Sequence, residues 1–252
     1  MHPVLFRIGS LEIHTYGVLV ACGFIAGISV AVHNAKRERI DPERLNELAL
    51  WLIAAGMIGG KLFHIMFFWH DFIEGWREAG IASLRQGFVF YGGFICATAA
   101  TVFYARAKHL PFTNLADACA PGVALGHAFG RLGCFFEGCC YGKFCNAPWA
   151  VHFPTPHPTT GAAVHPTELY EAVGNVVIFA GLMLFYPRKM RAGQIAWTYV
   201  LSYGTLRFVV EFFRGDYSVH YARVFTIGHI IAALMVMVAL AAMMRQRRVI
   251  RT

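Results

Sequence analysis

Seven stretches of about twenty apolar residues, at 16–34, 48–69, 88–105, 115–136, 169–186, 193–213 and 224–244, constrain this chain more than any other feature. A run of that length crosses the roughly 30 Å hydrocarbon core of a bilayer as a helix. Inside hydrocarbon every backbone N–H and C=O needs a partner within the protein, and a helix provides one. Composition agrees: 57% of the 252 residues are hydrophobic and 14% are charged, where soluble domains carry about 25% charged residues. The expected fold is an all-α polytopic membrane protein of seven transmembrane helices, with 1–252 forming a single transmembrane domain. No internal repeat or low-complexity segment stands out. The first fifteen residues are polar-interrupted and carry no cleavable leader pattern, so the first span is expected to serve as its own insertion signal.

A net charge of +8 would suggest nucleic acid were it spread over a surface. Thirteen of the 22 Lys and Arg instead fall in four short clusters. These are Lys36, Arg37, Arg39 and Arg44; Arg106 and Lys108; Arg188, Lys189 and Arg191; and Arg245, Arg247, Arg248 and Arg251. The clusters follow the first, third, fifth and seventh spans, which is the positive-inside pattern. Basicity therefore sets topology and meets anionic lipid heads. The N-terminus is expected outside and the C-terminus inside. The longest outer loop, 137–168, is rich in Pro, His, Thr and Gly and is expected to form a small ordered cap.

Direction converts sequence position into depth. Tyr16 falls at the outer start of the first span, Lys61 in the outer half of the second and Tyr91 near the outer start of the third. His127 and Arg131 fall in the outer half of the fourth, Glu171 at the outer start of the fifth, and Tyr203, Arg207 and Glu211 along the outer half of the sixth. Helical spacing adds to the convergence, because His127 and Arg131 are four residues apart, as are Tyr203, Arg207 and Glu211 in turn. A cation in hydrocarbon costs roughly 3 kcal/mol or more and marks a functional site by default. The bland alternative is a set of internal ion pairs, Arg207 with Glu211 or Arg131 with Glu171, that only join helices. A buried pair is at best weakly stabilising, so a polar cavity open to the outer leaflet is the preferred reading.

Two arginines near an outer interface suit a phosphate ester, since a guanidinium binds phosphate oxygens in pairs and stays charged when desolvated. Phospholipid is the phosphate carrier at that depth. Neither GxxxxGK[ST], nor GxGxxG after a strand, nor HExxH occurs, so nucleotide and zinc-protease motifs are absent. Cys22, Cys96 and Cys119 lie within spans and read as small packing residues. Cys134, Cys139, Cys140 and Cys145 are spaced C-x4-CC-x4-C, weak for zinc, which usually shows CxxC pairs. On an oxidising face a disulfide from Cys139 or Cys140 to Cys145 is the competing reading.

The run GRLGCFFEGCCYG, Gly130 to Gly142, aligns without a gap to GRxGNFxNGExxG, the signature of the prolipoprotein diacylglyceryl transferase family, which this chain resembles over nearly its whole length. HPTELYE (165–171) is similar to that family's HPxQLYE, and SYGTLRFVVEFFRGD (202–216) to its last motif. HTYGV (14–18), GGKLFH (59–64) and FYGGF (90–94) resemble its early blocks. The resemblance implies transfer of the diacylglyceryl group of phosphatidylglycerol to the lipobox cysteine thiol of a preprolipoprotein, leaving a thioether and releasing glycerol phosphate. It implies a bacterial cytoplasmic (inner) membrane setting, with the site facing the outer leaflet and the cap in the periplasm. Arg131 and Arg207 would hold the phosphate leaving group, Tyr203 would position the head group, and Glu171 would organise the arginines. Tyr16 matches an early tyrosine of the family, Tyr91 a position where many members carry His, and Gly142 the signature turn. His165 counts among the catalytic candidates, and the resemblance implies no metal and no organic cofactor. Gly130, Cys134, His127, Lys61 and Glu211 complete the expected lipid-binding set.

Departures from the pattern bear on the acceptor side. Cys134 stands where the signature has Asn, Cys139 where it has Glu, and Glu137 where it has the second Asn. Tyrosine, with a reference pKa near ~10, is a poor base, which leaves His127, His165 and Glu137 as alternatives to Tyr91. A family-like transferase with another acceptor or donor lipid, and a non-catalytic lipid-binding protein, are the competing functions.

Overall fold

The computed structural model describes residues 3–9, 11–85, 87–154, 156–216 and 225–248. Position 224, the expected start of the last span, and Arg251 lie outside the described residues. Long helices cover most of the described part of each apolar stretch: α1 (Thr15–Ala35), α2 (Pro42–Phe67), α4 (Phe90–Ala107), α5 (Phe112–Glu137), α6 (Thr167–Phe185), α7 (Gln194–Glu211) and α8 (Ile227–Arg248). A shorter helix, α3 (Trp69–Ala79), follows α2. Among the described residues, four helical segments, Thr15–Glu38, Pro42–Phe67, Thr167–Arg188 and Ile227–Gln246, are long and apolar enough to cross a membrane. Large apolar side chains such as Ile25, Trp51, Val177 and Leu234 stand exposed on helix surfaces, as they do on lipid-facing helices and rarely over such area in soluble proteins. The chain is a predominantly helical membrane protein.

The helical rule breaks where the chain leaves the apolar stretches. The strands β1 (Val4–Ile8) and β2 (Leu11–His14) pair as an antiparallel hairpin leading into α1, and β3 (Val151–His152) pairs with β4 (Ala163–Val164) between α5 and α6. Outside hydrocarbon the backbone has solvent and other strands for partners, so an all-helical description holds for the spans and not for these segments.

The chain divides into two compact units, 35–115 and the remainder. In the first, Asp41 caps α2 by accepting from the Glu43 N–H at 3.1 Å, with Pro42 at the first helical position. Helices α2 and α4 cross where a Cβ on Gly59 would lie 2.6 Å from the Gly92 carbonyl oxygen. Glu47 on α2 accepts from the Tyr104 hydroxyl at 2.7 Å and pairs with Lys108 at 3.1 Å.

The second unit contains α1, α5, α6, α7 and α8. Gly23 and Gly27 on α1 face Gly126 and Gly122 on α5: added Cβ atoms at Gly23 and Gly27 would lie 3.0 and 2.8 Å from the opposing carbonyl oxygens. Both pairs are GxxxG patterns, the spacing that lets helix backbones approach in a membrane. At one end, Asp117 of α5 is fully buried and accepts from the N–H groups of Gly193 and Ala196 at 2.6 and 2.8 Å, capping α7 from a different helix. Lys189 pairs with the same carboxylate at 2.7 Å. Alanine at Asp117 is expected to lower stability by about 3–5 kcal/mol, because a half-buried cation and two helix N–H groups lose their partner. Thermal unfolding in detergent micelles measures this, and an unchanged midpoint would deny the cap its role. Arg131 lies fourteen residues further along α5, about 21 Å along the helix axis, and there the arginines converge.

Candidate active site

Helical period and a shared carboxylate build this end of the larger unit. Glu171, in the second turn of α6, is 1% exposed. Its two oxygens meet two arginines from two other helices: Arg131 of α5 through Nε at 2.6 Å, and Arg207 of α7 through Nη1 at 2.5 Å. Arg207 uses Nη2 on Glu211, one turn along the same helix, at 2.7 Å. Glu211 also accepts from the Thr226 hydroxyl just before α8, and the His229 imidazole lies 3.2 Å from that hydroxyl. Phe208, Phe212 and Phe225 enclose His229. Both ion pairs named by the bland alternative are therefore present, joined into one network.

Tyr203 continues the α7 stripe. The Arg131 charge acts on its hydroxyl, and its ring lies 4.7 Å from that of His127, centre to centre. Tyr16, in the first turn of α1, rests its ring on Gly133, where a Cβ would come within 2.9 Å. Six of the expected residues, Arg131, Glu171, Tyr203, Arg207, Glu211 and His127, thus form one cluster, with Tyr16 on the turn of α5 beside Arg131.

The segment after α5 is held by its own frame. Gly142 is in β-bridge pairing with Arg214, the Lys143 N–H donates to the Phe213 carbonyl at 2.7 Å, and the Gly142 N–H donates to the His165 carbonyl at 3.0 Å. A Cβ at Gly142 would fall 2.5 Å from the His165 oxygen, so glycine there is required by close backbone approach. At Gly130 an added Cβ would meet open space, so crowding does not explain that glycine. His165 is held through Nδ1 to the Tyr170 hydroxyl at 3.1 Å and against the Phe213 ring, as part of the frame and outside the arginine network. Lys61 and Tyr91 belong to the other unit. Lys61 donates to the Ser83 carbonyl at 3.2 Å, and Tyr91 is largely exposed in the first turn of α4.

Three features escaped the sequence. Arg214 is buried and forms a two-point pair with Asp216, at 2.9 Å from Nε and 2.5 Å from Nη2. The sulfurs of Cys134, Cys139 and Cys140 lie within 4.8 Å of one another. The thiol of Cys140 is held below the usual cysteine range, first by hydrogen bonds from Cys134 and Cys139 and further by Arg214 and Arg131. The Cys139 thiol donates to the Cys134 carbonyl at 3.7 Å, and the neighbouring Cys134 and Cys140 side chains push it well above that range. Lastly, Glu168 is 1% exposed, and neither carboxylate oxygen has a hydrogen-bond partner from another residue among the described residues. It stands where the motif HPxQLYE has Gln. Glu168→Gln is expected to raise stability at pH 8 by roughly 1–3 kcal/mol, since an amide is cheaper to bury than an unpaired carboxylate. Thermal unfolding of the two proteins compares them, and a lower midpoint for the glutamine variant would contradict it.

Fold and site together define a helical membrane enzyme with a buried, doubly basic centre at one end of its larger unit. Residues 3–245 match the family model of prolipoprotein diacylglyceryl transferase, and the chain belongs to that family. It is similar to proteins named phosphatidylglycerol–prolipoprotein diacylglyceryl transferase. With that of Clostridium tetani it is 34% identical over 218 residues, 86% of each chain. With that of Geobacter sulfurreducens it is 36% identical over 215 residues, 84% of this chain and 82% of the relative. With that of Synechocystis it is 34% identical over 224 residues, 85% of this chain and 79% of the relative.

Proposed function

We infer that this chain transfers the diacylglyceryl group of phosphatidylglycerol to the lipobox cysteine thiol of preprolipoproteins, forming a thioether and releasing glycerol phosphate. Family membership and the names of its relatives supply the reaction. The observation that carries the assignment to this site is the convergence of Arg131 and Arg207 on the buried Glu171.

The acceptor sulfur attacks the glycerol carbon that carries the phosphate. A C–S bond forms, the C–O bond breaks, and its electron pair leaves with the phosphate. The phosphate charge grows from −1 toward −2 as this happens. Guanidinium donors aimed at those oxygens gain more in the transition state than in the ground state, which is the condition for catalysis rather than tight binding. Glu171 holds both guanidinium planes before substrate arrives, so little reorganisation accompanies the reaction. Arg131 meets Glu171 through Nε at 2.6 Å, and its remaining N–H donors serve the phosphate. Glu211 fixes the far side of Arg207. Tyr203 and His127 orient the glycerol head, with Tyr16 at the rim. Gly142 and His165 hold the loop frame over the centre. Gly130 and Cys134 complete the lipid contacts within the larger unit, and His127, His165 and Glu137 are its candidates for the acceptor's base.

Seven spans in one transmembrane domain, the N-terminus outside and the C-terminus inside the bacterial cytoplasmic membrane, place this centre in the outer leaflet beneath a periplasmic cap at 137–168. The basic clusters support that orientation. Lys189 sits with Asp117 at the end of the larger unit opposite the arginines. Reconstitution with phosphatidylglycerol and a lipobox peptide tests the reaction. The expected product is a peptide heavier by one diacylglyceryl group on its cysteine, formed with phosphatidylglycerol and absent with phosphatidylethanolamine. An unmodified peptide, under conditions where a relative works, would refute it. Cysteines at 134 and 139, where the family signature has Asn and Glu, favour one second reading, a different acceptor. Modification of some other thiol or hydroxyl, with the lipobox peptide untouched, would select it.

A further inference from the structure

We propose that Cys134, Cys139 and Cys140 form a three-thiolate site for a thiophilic metal ion, zinc being the divalent case, with its fourth position open to an incoming thiol. The argument begins in how α5 ends. The N–H groups of Gly138 and Cys139 both donate to the Cys134 carbonyl, at 2.9 and 3.1 Å, and Gly138 takes φ +79°. This is a Schellman ending, in which the side chains three residues before the cap and two after it come into contact. In most helices that contact is apolar. Here its two members are Cys134 and Cys139.

The third sulfur follows from the next residue. Cys140 has φ +71°, an uncommon left-handed conformation for a side-chain-bearing residue. Its carbonyl accepts from the Thr167 hydroxyl at 2.7 Å, which ties the reversed turn to the start of α6. His157 donates through Nε2 to the Gly138 carbonyl at 2.7 Å, and its Nδ1 accepts from the Thr159 N–H at 3.2 Å. The His157 ring also stacks on Phe153, with centres 4.5 Å apart. The three sulfurs are therefore gathered by a backbone fixed on both sides.

Their spacing fits an ion. Zinc–sulfur bonds of about 2.3 Å in tetrahedral geometry put sulfurs about 3.8 Å apart. The sulfurs here lie within 4.8 Å of one another, so small side-chain rotations draw them in with no change of backbone. Thiolates select soft ions over hard ones such as magnesium or calcium. The positive charges of Arg131 and Arg214 act on this cluster and offset the excess charge of three thiolates. Glu168, buried and without a hydrogen-bond partner from another residue among the described residues, acts electrostatically on Cys140, and a cation there relieves that repulsion.

Three protein ligands and an open position mark a site that works on a substrate rather than one that only staples a fold. This inference rests on the acceptor being a thiol. That thiol would take the fourth position as thiolate, its proton passing to water on the exposed Cys139 side. Its sulfur then forms the C–S bond as the C–O electron pair leaves with phosphate beside Arg131. The ion changes no oxidation state.

The test uses the full chain in detergent micelles, reduced without thiols and titrated anaerobically with cobalt(II) as the probe. One equivalent is expected to produce an intense sulfur-to-cobalt charge-transfer band, removed by one equivalent of zinc. Cys134→Ser, Cys139→Ser and Cys140→Ser should each weaken or abolish it, and Cys145→Ser should leave it unchanged. Added lipobox peptide should intensify the band, and its serine counterpart should not. Wild-type protein supplies a readout independent of the variants' folding: one equivalent of zinc should shield three thiols from alkylation. No band, a band indifferent to the trio, or no shielding would overturn the site. Lipidation measured on the same preparation separates the two readings. Full transfer after metal stripping would end the metal's part and leave the transferase standing. Metal bound by three sulfurs without transfer from phosphatidylglycerol would remove the transferase and leave the site.

Discussion

Arg131→Gln is expected to lower kcat for diacylglyceryl transfer by about 10²–10³-fold, the usual effect of removing one donor that meets charge developing in a transition state. Folding should survive, because Glu171 keeps its 2.5 Å contact to Arg207. Lysine at 131 should recover little. An ammonium supplies a point charge in place of the planar guanidinium that meets Glu171 at 2.6 Å, and it cannot bind a phosphate in pairs. Arg207→Gln should be at least as damaging, since that side chain also neutralises Glu211 at 2.7 Å. Single-turnover kinetics separate the effect from lipid binding: the loss falls on kcat if the arginines act on the leaving group. A loss confined to KM would mean that they only hold the lipid.

Glu171→Ala is expected to destabilise the protein by about 3–5 kcal/mol and to abolish turnover. This carboxylate is the common partner of two buried guanidinium groups, and removing it leaves both facing each other in a poor solvent for charge. Glu171→Gln distinguishes the electrostatic part from the steric part. The amide keeps the volume and one acceptor, so its stability loss should be smaller, while kcat falls because the two guanidinium planes lose their common anchor. Thermal midpoints in micelles and turnover on phosphatidylglycerol give the two readouts. Wild-type turnover in the glutamine variant would show that the arginines need no organising carboxylate.

Much of this cluster was legible before any coordinates, for identifiable reasons. Hydropathy located the helices because hydrocarbon leaves few alternatives to helical backbone. The i, i+4 spacing of Arg207 and Glu211 placed them on one face, where they pair. Charge clusters gave the spans a direction, and direction gave Arg131 and Glu171 a common depth. The facing glycines of α1 and α5 were also readable as two GxxxG patterns and were passed over. What spacing could not reveal depends on turns or on contacts between distant helices. Asp117 caps a helix that begins 77 residues later, at Gln194. Cys134, Cys139 and Cys140 converge through a left-handed turn, and C-x4-CC spacing resembles no usual zinc pattern. Glu168 is one letter in HPTELYE, and only its burial shows a carboxylate without a hydrogen-bond partner from another residue among the described residues. Lys61 and Tyr91, assigned the same depth, belong to the compact unit 35–115.

The most direct measurement of the central claim is the stoichiometry of release. Vesicles of phosphatidylglycerol containing the purified protein, supplied with a lipobox peptide, should liberate one glycerol phosphate for each thioether formed on the peptide's cysteine. Both products should disappear together in Arg131→Gln. Thioether formed without glycerol phosphate, or glycerol phosphate released at an undiminished rate by that variant, would contradict a phosphate leaving group held by this pair of arginines.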